Sequence, residues 1–193
     1  MHREGINNGH ELFKRLVGES LERGAYRASV VNVSDVVFDK AFRDMCEANS
    51  CGMYGKCYMC PPDVGDIDVL MKEARTYKYA LVYQTVSKLD DSFDFEGMIS
   101  AKKKTYPLAQ SLRKVFSAPV FKRVLHLCAG GCGVCEKCAK ITNEPCRYPD
   151  LCMPSLEAYG VNVSELSKAA DMKYINGQNT VTYFGAVLFD IDE

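Results

Sequence analysis

Long apolar runs are missing from this chain of 193 residues. The longest, such as Ala80–Tyr83 and Ala186–Phe189, are strand-sized and far too short to cross a bilayer as a helix, so no membrane partner is expected. Residues Met1 to His10 are polar, which argues against a signal peptide. A surplus of charge is missing too. The net charge is −1 and the lysines and arginines are scattered, which excludes the basic face of a general nucleic-acid binder. The only basic run, Lys102–Lys103–Lys104, reads as a solvated helix face, with a docking patch for an acidic partner as the alternative. Histidine is scarce. Of three, His2 and His10 lie near the terminus, and only His126 precedes a cysteine closely. Its ordinary role is a strand residue satisfied by its neighbours; the alternative is a proton donor beside a metal site. No Ser–His–Asp or Cys–His arrangement is visible, and no Gly-rich phosphate loop precedes a helix. Internal repeats and low-complexity linkers are absent as well, so residues 1–193 read as one domain.

What the chain does have is ten cysteines. With no export signal, a cytoplasmic, reducing setting is expected, and there thiols stay reduced. A disulfide scaffold would also be shorter and denser in cysteine. Metal binding or redox chemistry remains.

Periodicity places the cysteines between regular elements. Leu12, Phe13, Leu16, Val17 and Leu21 predict a helix over Glu11–Arg23, capped by Gly24. A strand follows near Ala28–Val33, then a helical or extended segment from Val36 to Met45. Helices are expected over Asp66–Tyr77 and over Phe95–Phe116, the latter open to a break at Pro107. Strands are expected at Tyr79–Val86, Phe121–Leu127 and Thr180–Phe189. Asn162-Val163-Ser164-Glu165 resembles a capping box that opens a helix to about Met172. The fold class is therefore α+β or α/β, a central mixed sheet of about four to five strands flanked by helices, with Cys-rich loops at 46–62 and 128–154.

The second loop reads Cys128-Ala-Gly-Gly-Cys132-Gly-Val-Cys135-Glu-Lys-Cys138, then Pro145-Cys146 and Cys152. Cys132-x2-Cys135-x2-Cys138 is the spacing by which bacterial ferredoxins grip three corners of a cubane. The fourth ligand must come from farther along, and Cys146 is the nearest candidate. Gly130, Gly131 and Gly133 let backbone N–H groups approach an anionic cluster. The first loop reads Cys46-x4-Cys51-x5-Cys57-x2-Cys60-Pro61-Pro62, four thiolates that could close a site alone, with Gly52 and Gly55 at the turns. Zinc is the rival metal, but its C-x2-C knuckles commonly lie about 15–20 residues apart. Here Cys57-x2-Cys60 and Cys132-x2-Cys135 are separated by a helix–strand–helix–strand segment. Two [4Fe–4S] clusters are thus the expected cofactors, with Cys46, Cys51, Cys57 and Cys60 on one and Cys132, Cys135, Cys138 and Cys146 on the other; zinc stays the alternative. Cys128 and Cys152 are surplus and read as small buried hydrophobes. Arg147, Ser155, Glu157 and Tyr159 read as charge compensation and capping, or else as a polar rim facing the second site. Tyr54, Tyr58 and Tyr148 read as shields against water.

Two stretches together resemble a cysteine-rich family of predicted metal-binding proteins from anaerobic bacteria and methanogens. One is Cys46…Cys51-Gly-Met-Tyr-Gly…Cys60-Pro-Pro; the other runs from Ala129-Gly-Gly-Cys132 through Pro145-Cys146-Arg147-x-Pro149 to Pro154-Ser155-x-Glu157-Ala158-x-Gly160-Val161-Asn162-Val163. With the final strand, the resemblance spans nearly the whole chain. Cys51, Cys60, Cys132, Cys135, Cys138 and Cys146 fall on that family's regular cysteines, and Cys46 close to one. Cys57 stands where members often carry another residue, and Cys128 where they commonly carry glycine. The resemblance implies a metal site and an anaerobic setting, names no reaction, and leaves the fourth ligand of the first site open.

Three functions fit these residues. The first is electron transfer, or a redox accessory role in anaerobic metabolism, with a redox partner protein. The second is an enzyme in which one cluster has an iron without a cysteine and acts on a small molecule. The third is a zinc-stabilised interaction module. The number of cysteines at the first site separates the first two: four favour electron transfer and three favour Lewis-acid chemistry.

Overall fold

The computed structural model describes residues 2–192, with side chains from residue 9 onward, so the side chain of His2 lies outside the described residues. Nine elements carry the fold: α1 (His2–Glu22), β1 (Arg27–Asn32), α2 (Ala41–Glu47), α3 (Ile67–Ala74), β2 (Tyr79–Lys88), α4 (Phe95–Val115), β3 (Phe121–Leu127), α5 (Val163–Ala169) and β4 (Thr180–Ile191). The four strands form one sheet in the order β1-β2-β4-β3. Of the expected alternatives, α+β is the one realised, and all three pairings are antiparallel rather than mixed.

Alternation along the central strands explains why helices cover both faces. On β2, Leu81 and Tyr83 point to one side and join Val187 and Phe189 of β4, Leu16 of α1, and Leu108 and Leu112 of α4. Ala80 and Val82 point to the other side, with Phe184, Ala186 and Leu188 of β4, Leu70 of α3 and Leu166 of α5. A strand buried on both faces reads as a continuous apolar run, as Ala80–Tyr83 does. Gly185 lies opposite Tyr83 across the β2–β4 pair, and a Cβ there would meet the Tyr83 ring at 2.3 Å. The missing side chain is what lets a full tyrosine lie buried inside the sheet.

Helix ends follow the side chains. Asp66 accepts from the N–H groups of Asp68 and Val69 at the start of α3, Asp94 from that of Gly97 in α4, and Asn162 from that of Glu165 in α5. The last of these is the expected cap, although α5 ends at Ala169, before Met172. Helix α1 begins earlier than its apolar stripe. Helix α4 runs unbroken through Pro107.

Candidate metal centre

Both cysteine loops reach the same end of the sheet. The second leaves β3 at Leu127 and returns to its own start: Cys128 N–H donates to Pro154 O (3.0 Å) and Leu156 N–H to Cys128 O (3.1 Å). This closes the loop at its neck. Its body leans on α4, where Lys102, Tyr106, Gln110 and Arg113 recur along one stripe. Lys102 lies against Gly130, the Tyr106 hydroxyl donates to Gly131 O, Gln110 Nε2 donates to Leu151 O (2.8 Å), and Arg113 donates to Cys152 O (2.9 Å). Gly133 must be glycine, because a Cβ there would overlap the Tyr106 ring at 2.1 Å. The first loop turns back on itself through Gly55 N–H to Pro61 O (2.9 Å) and Cys60 N–H to Cys57 O (3.0 Å). Gly52 and Gly55 take φ of +71° and +65°, which a side chain would oppose. Contacts that tie the loops together include the Tyr58 hydroxyl donating to Glu144 O (2.7 Å) and Lys140 pairing with Asp63.

This arrangement divides the cysteines differently from their order in the chain. A small cavity of about 20 Å³ is lined by Cys57, Cys132, Cys135, Cys138, Cys146 and Cys152, with Tyr58, Arg147 and Tyr148 at its edge. A larger cavity of about 630 Å³ is lined by Cys46, Cys51 and Cys60 together with Lys102, Ser155 and Glu157. Cys57 thus turns to the second group, and three cysteines face the larger cavity. Cys152 joins the second group instead of being a plain core residue. Cys128 does behave as one: it is 1% exposed, packed against Tyr83, and burial pushes its thiol up to about 11.

Of the four residues weighed as a rim, only Arg147 borders the small cavity, where it donates to Lys137 O (3.1 Å). Ser155 and Glu157 face the larger one, and the Tyr159 hydroxyl donates to Glu73 (3.3 Å) away from both. Tyr54 borders the larger cavity, and Tyr58 and Tyr148 the smaller. His126 packs edge-on against Phe116 with centroids 5.9 Å apart, and burial, then the nearby Arg113 charge, lowers it to about 4. It is a neutral strand residue. Lys102 and Tyr106 were not singled out individually, yet the stripe on α4 carried the signal: polar residues at helical spacing beside a buried face of Ala101, Thr105, Leu108 and Leu112.

The surroundings favour a thiolate at Cys57, whereas burial raises Cys46, Cys60, Cys132 and Cys152. Cys57, fully buried, receives a hydrogen bond from the Cys60 thiol and from the N–H groups of Met59 and Cys132, and is lowered to about 6. Cys60 is pushed well up by its bond to Cys57 and by burial. Burial raises Cys132, opposed by N–H groups of Val134 and Met153 directed at its sulfur. Burial also raises Cys46, opposed by Arg43, whose Nε is buried without a hydrogen-bond partner. Burial and the adjacent Cys146 push Cys152 up to about 11. Soft thiolate donors, backbone N–H groups aimed at sulfur, and a glycine at 131 whose Cβ would lie 2.9 Å from Cys60 Sγ all fit an iron–sulfur cluster. Among the described residues, no three Cys, His, Asp or Glu side chains are drawn into a ready-made ion site.

No helix among the described residues is long and apolar enough to cross a membrane. No curated protein and no solved structure matches the chain. A family profile does match, over residues 29–189, a span that holds all ten cysteines, and the chain belongs to that family, the predicted metal-binding proteins (DUF2284).

Proposed function

We propose that this metal-binding protein carries two unequal iron–sulfur centres, one for storing and passing electrons and one open to a small molecule. The observation that carries the reading is the division of the cysteines: Cys57 lines the small cavity, leaving Cys46, Cys51 and Cys60 at a cavity of substrate size. Cys132, Cys135, Cys138 and Cys146 would hold the second centre, with Cys57 and Cys152 packed beside it. Cys46, Cys51 and Cys60 would hold the first. When bound, such clusters supply one-electron storage and, at an iron that lacks a cysteine, a Lewis-acid site.

The chain's own residues support both roles. Cys57 and Cys60 share a hydrogen bond although they line different cavities, so the two centres would be near neighbours. Arg43, Lys102, Arg113 and Arg147 distribute positive charge around the thiolates. Tyr58 and Tyr148 line the small cavity beside these cysteines. Electron transfer alone, through a partner protein in a reducing cytoplasm, is the simpler version of the same reading; the larger cavity favours the version with a bound substrate.

Anaerobic purification with iron counting and electron paramagnetic resonance after reduction tests it. Cys60→Ser should lose the first centre's signal and Cys146→Ser the second's, whereas Cys57→Ser should leave the first unchanged. Loss of the first centre in Cys57→Ser would restore a four-cysteine site and remove the open position.

A further inference from the structure

The Lys102–Lys103–Lys104 run is not one solvated face. Lys103 and Lys104 are exposed, while Lys102 is half-buried and lines the larger cavity. Its Nζ lies so close to Gly130 that a Cβ there would meet it at 2.6 Å. Among the described residues, Lys102 has no carboxylate within ion-pair distance. Glu157 lines the same cavity, bonded to the Ser155 side chain and within reach of the Lys102 charge, yet the two do not pair. An ammonium and a carboxyl group that face one cavity without meeting leave room for a ligand that touches both. Apolar and soft side chains line it too, Met45, Met53 and Tyr54, and Tyr174 stacked on Phe184 (6.1 Å between centroids), interspersed with polar Ser50, Asn162 and Thr182. The cavity therefore extends well beyond Cys46, Cys51 and Cys60.

We propose that the larger cavity binds a small carboxylic acid with a hydroxyl or amino group beside the carboxylate and an apolar side group. The carboxylate meets Lys102, the neighbouring donor meets Glu157, and the apolar group lies against the methionines and tyrosines. The inference deepens the reading above and rests on it for what the cysteine end of the cavity does; binding itself does not depend on which metal the cysteines hold.

Calorimetric titration of anaerobically purified holo protein, with iron counted in the same sample, tests the proposal on three probes. 3-Phenyllactate carries both polar groups, 3-phenylpropionate only the carboxylate, and 1-phenyl-2-propanol only the hydroxyl. Each charge-assisted contact is expected to contribute about tenfold in affinity, so phenyllactate should bind tightest, with each of the other two about tenfold weaker or more. Lys102→Gln should weaken both acids about tenfold and leave the alcohol unchanged. Lys102→Arg should keep most of the preference, which guards against a mere folding effect. Glu157→Gln should narrow the gap between phenyllactate and phenylpropionate. Equal binding of all three probes, no binding, or acid affinity untouched by Lys102→Gln in iron-replete protein would overturn the proposal and show Lys102 to be only a counter-charge for the cysteines. Zinc in place of iron with Lys102-dependent acid binding intact would instead strike the cluster reading and leave this one standing.

Discussion

Single residues set the conditions under which this fold holds. His126 is half-buried beside Phe116 and feels Arg113, so its imidazole stays neutral in the folded chain, with its pKa lowered to about 4 from an ordinary value of 6.5. Between these values the unfolded chain binds a proton that the folded chain does not. Stability from this residue is therefore complete above pH 6.5, falls as the pH drops through that value, and is fully lost below about 4. The loss amounts to about 3 kcal/mol. His126→Phe should flatten the dependence of unfolding free energy on pH across this window relative to the native chain, while acid release of thiolate-bound metal affects both alike. Parallel curves for the two proteins would show that His126 is not held neutral by the fold. A second residue-scale prediction concerns Gly185. Gly185→Ala puts a methyl group into the Tyr83 ring, an overpacking cost of about 1–3 kcal/mol. The thermal midpoint should drop by several degrees, and Tyr83→Leu in the same chain should restore part of it. An unchanged midpoint in Gly185→Ala would mean that the tyrosine moves aside freely.

At the scale of elements, the chain was legible where periodicity is strong and less so where loops meet. The three long strands fall within a few residues of their expected places, because Tyr79–Lys88 and Thr180–Ile191 carry long apolar, β-branched and aromatic runs and Phe121–Leu127 keeps Val124, Leu125 and Leu127 together. Asn162 was legible as a cap because its side chain acts locally. Strand order was not, since any of several antiparallel orders would bury the same residues. The division of cysteines was not legible either. Cys57 and Cys60 lie one helical turn apart, and a tight turn sends their sulfurs to different cavities. Cys152 reads as surplus to two sets of four ligands, whereas the turn in which Cys152 N–H donates to Tyr148 O (3.1 Å) brings it to the small cavity. Helix α4 acts here as a rack for the second loop, so its stripe should matter to metal retention. Gly133→Ala, which drives a methyl group into Tyr106, should lower iron content and shift the second centre's resonance signal, whereas Gly18→Ala, with open space for its methyl group on helix α1, should leave both unchanged. Equal iron in the two variants would detach the rack from the site.

Across the whole molecule, the two loops are not appendages. Their necks are tied to β3, α4 and each other through backbone carbonyls at positions 128, 131, 144, 151 and 152. Thiolates gathered without metal repel one another, and metal-binding free energy is folding free energy. Anaerobic chelation should therefore lower and broaden the thermal transition of the whole domain and not only loosen residues 46–62 and 128–154; a sharp, unshifted transition would contradict this. How metal is shared between the two cysteine sets decides what the protein can do. The most direct test is a count of iron and acid-labile sulfide per chain, made anaerobically on the native protein and on a variant with Cys46, Cys51 and Cys60 all changed to serine. Two cubanes predict about eight of each in the native chain and about four in the variant, with one resonance signal kept intact. Zinc in place of iron, or loss of both centres in the variant, would contradict the account.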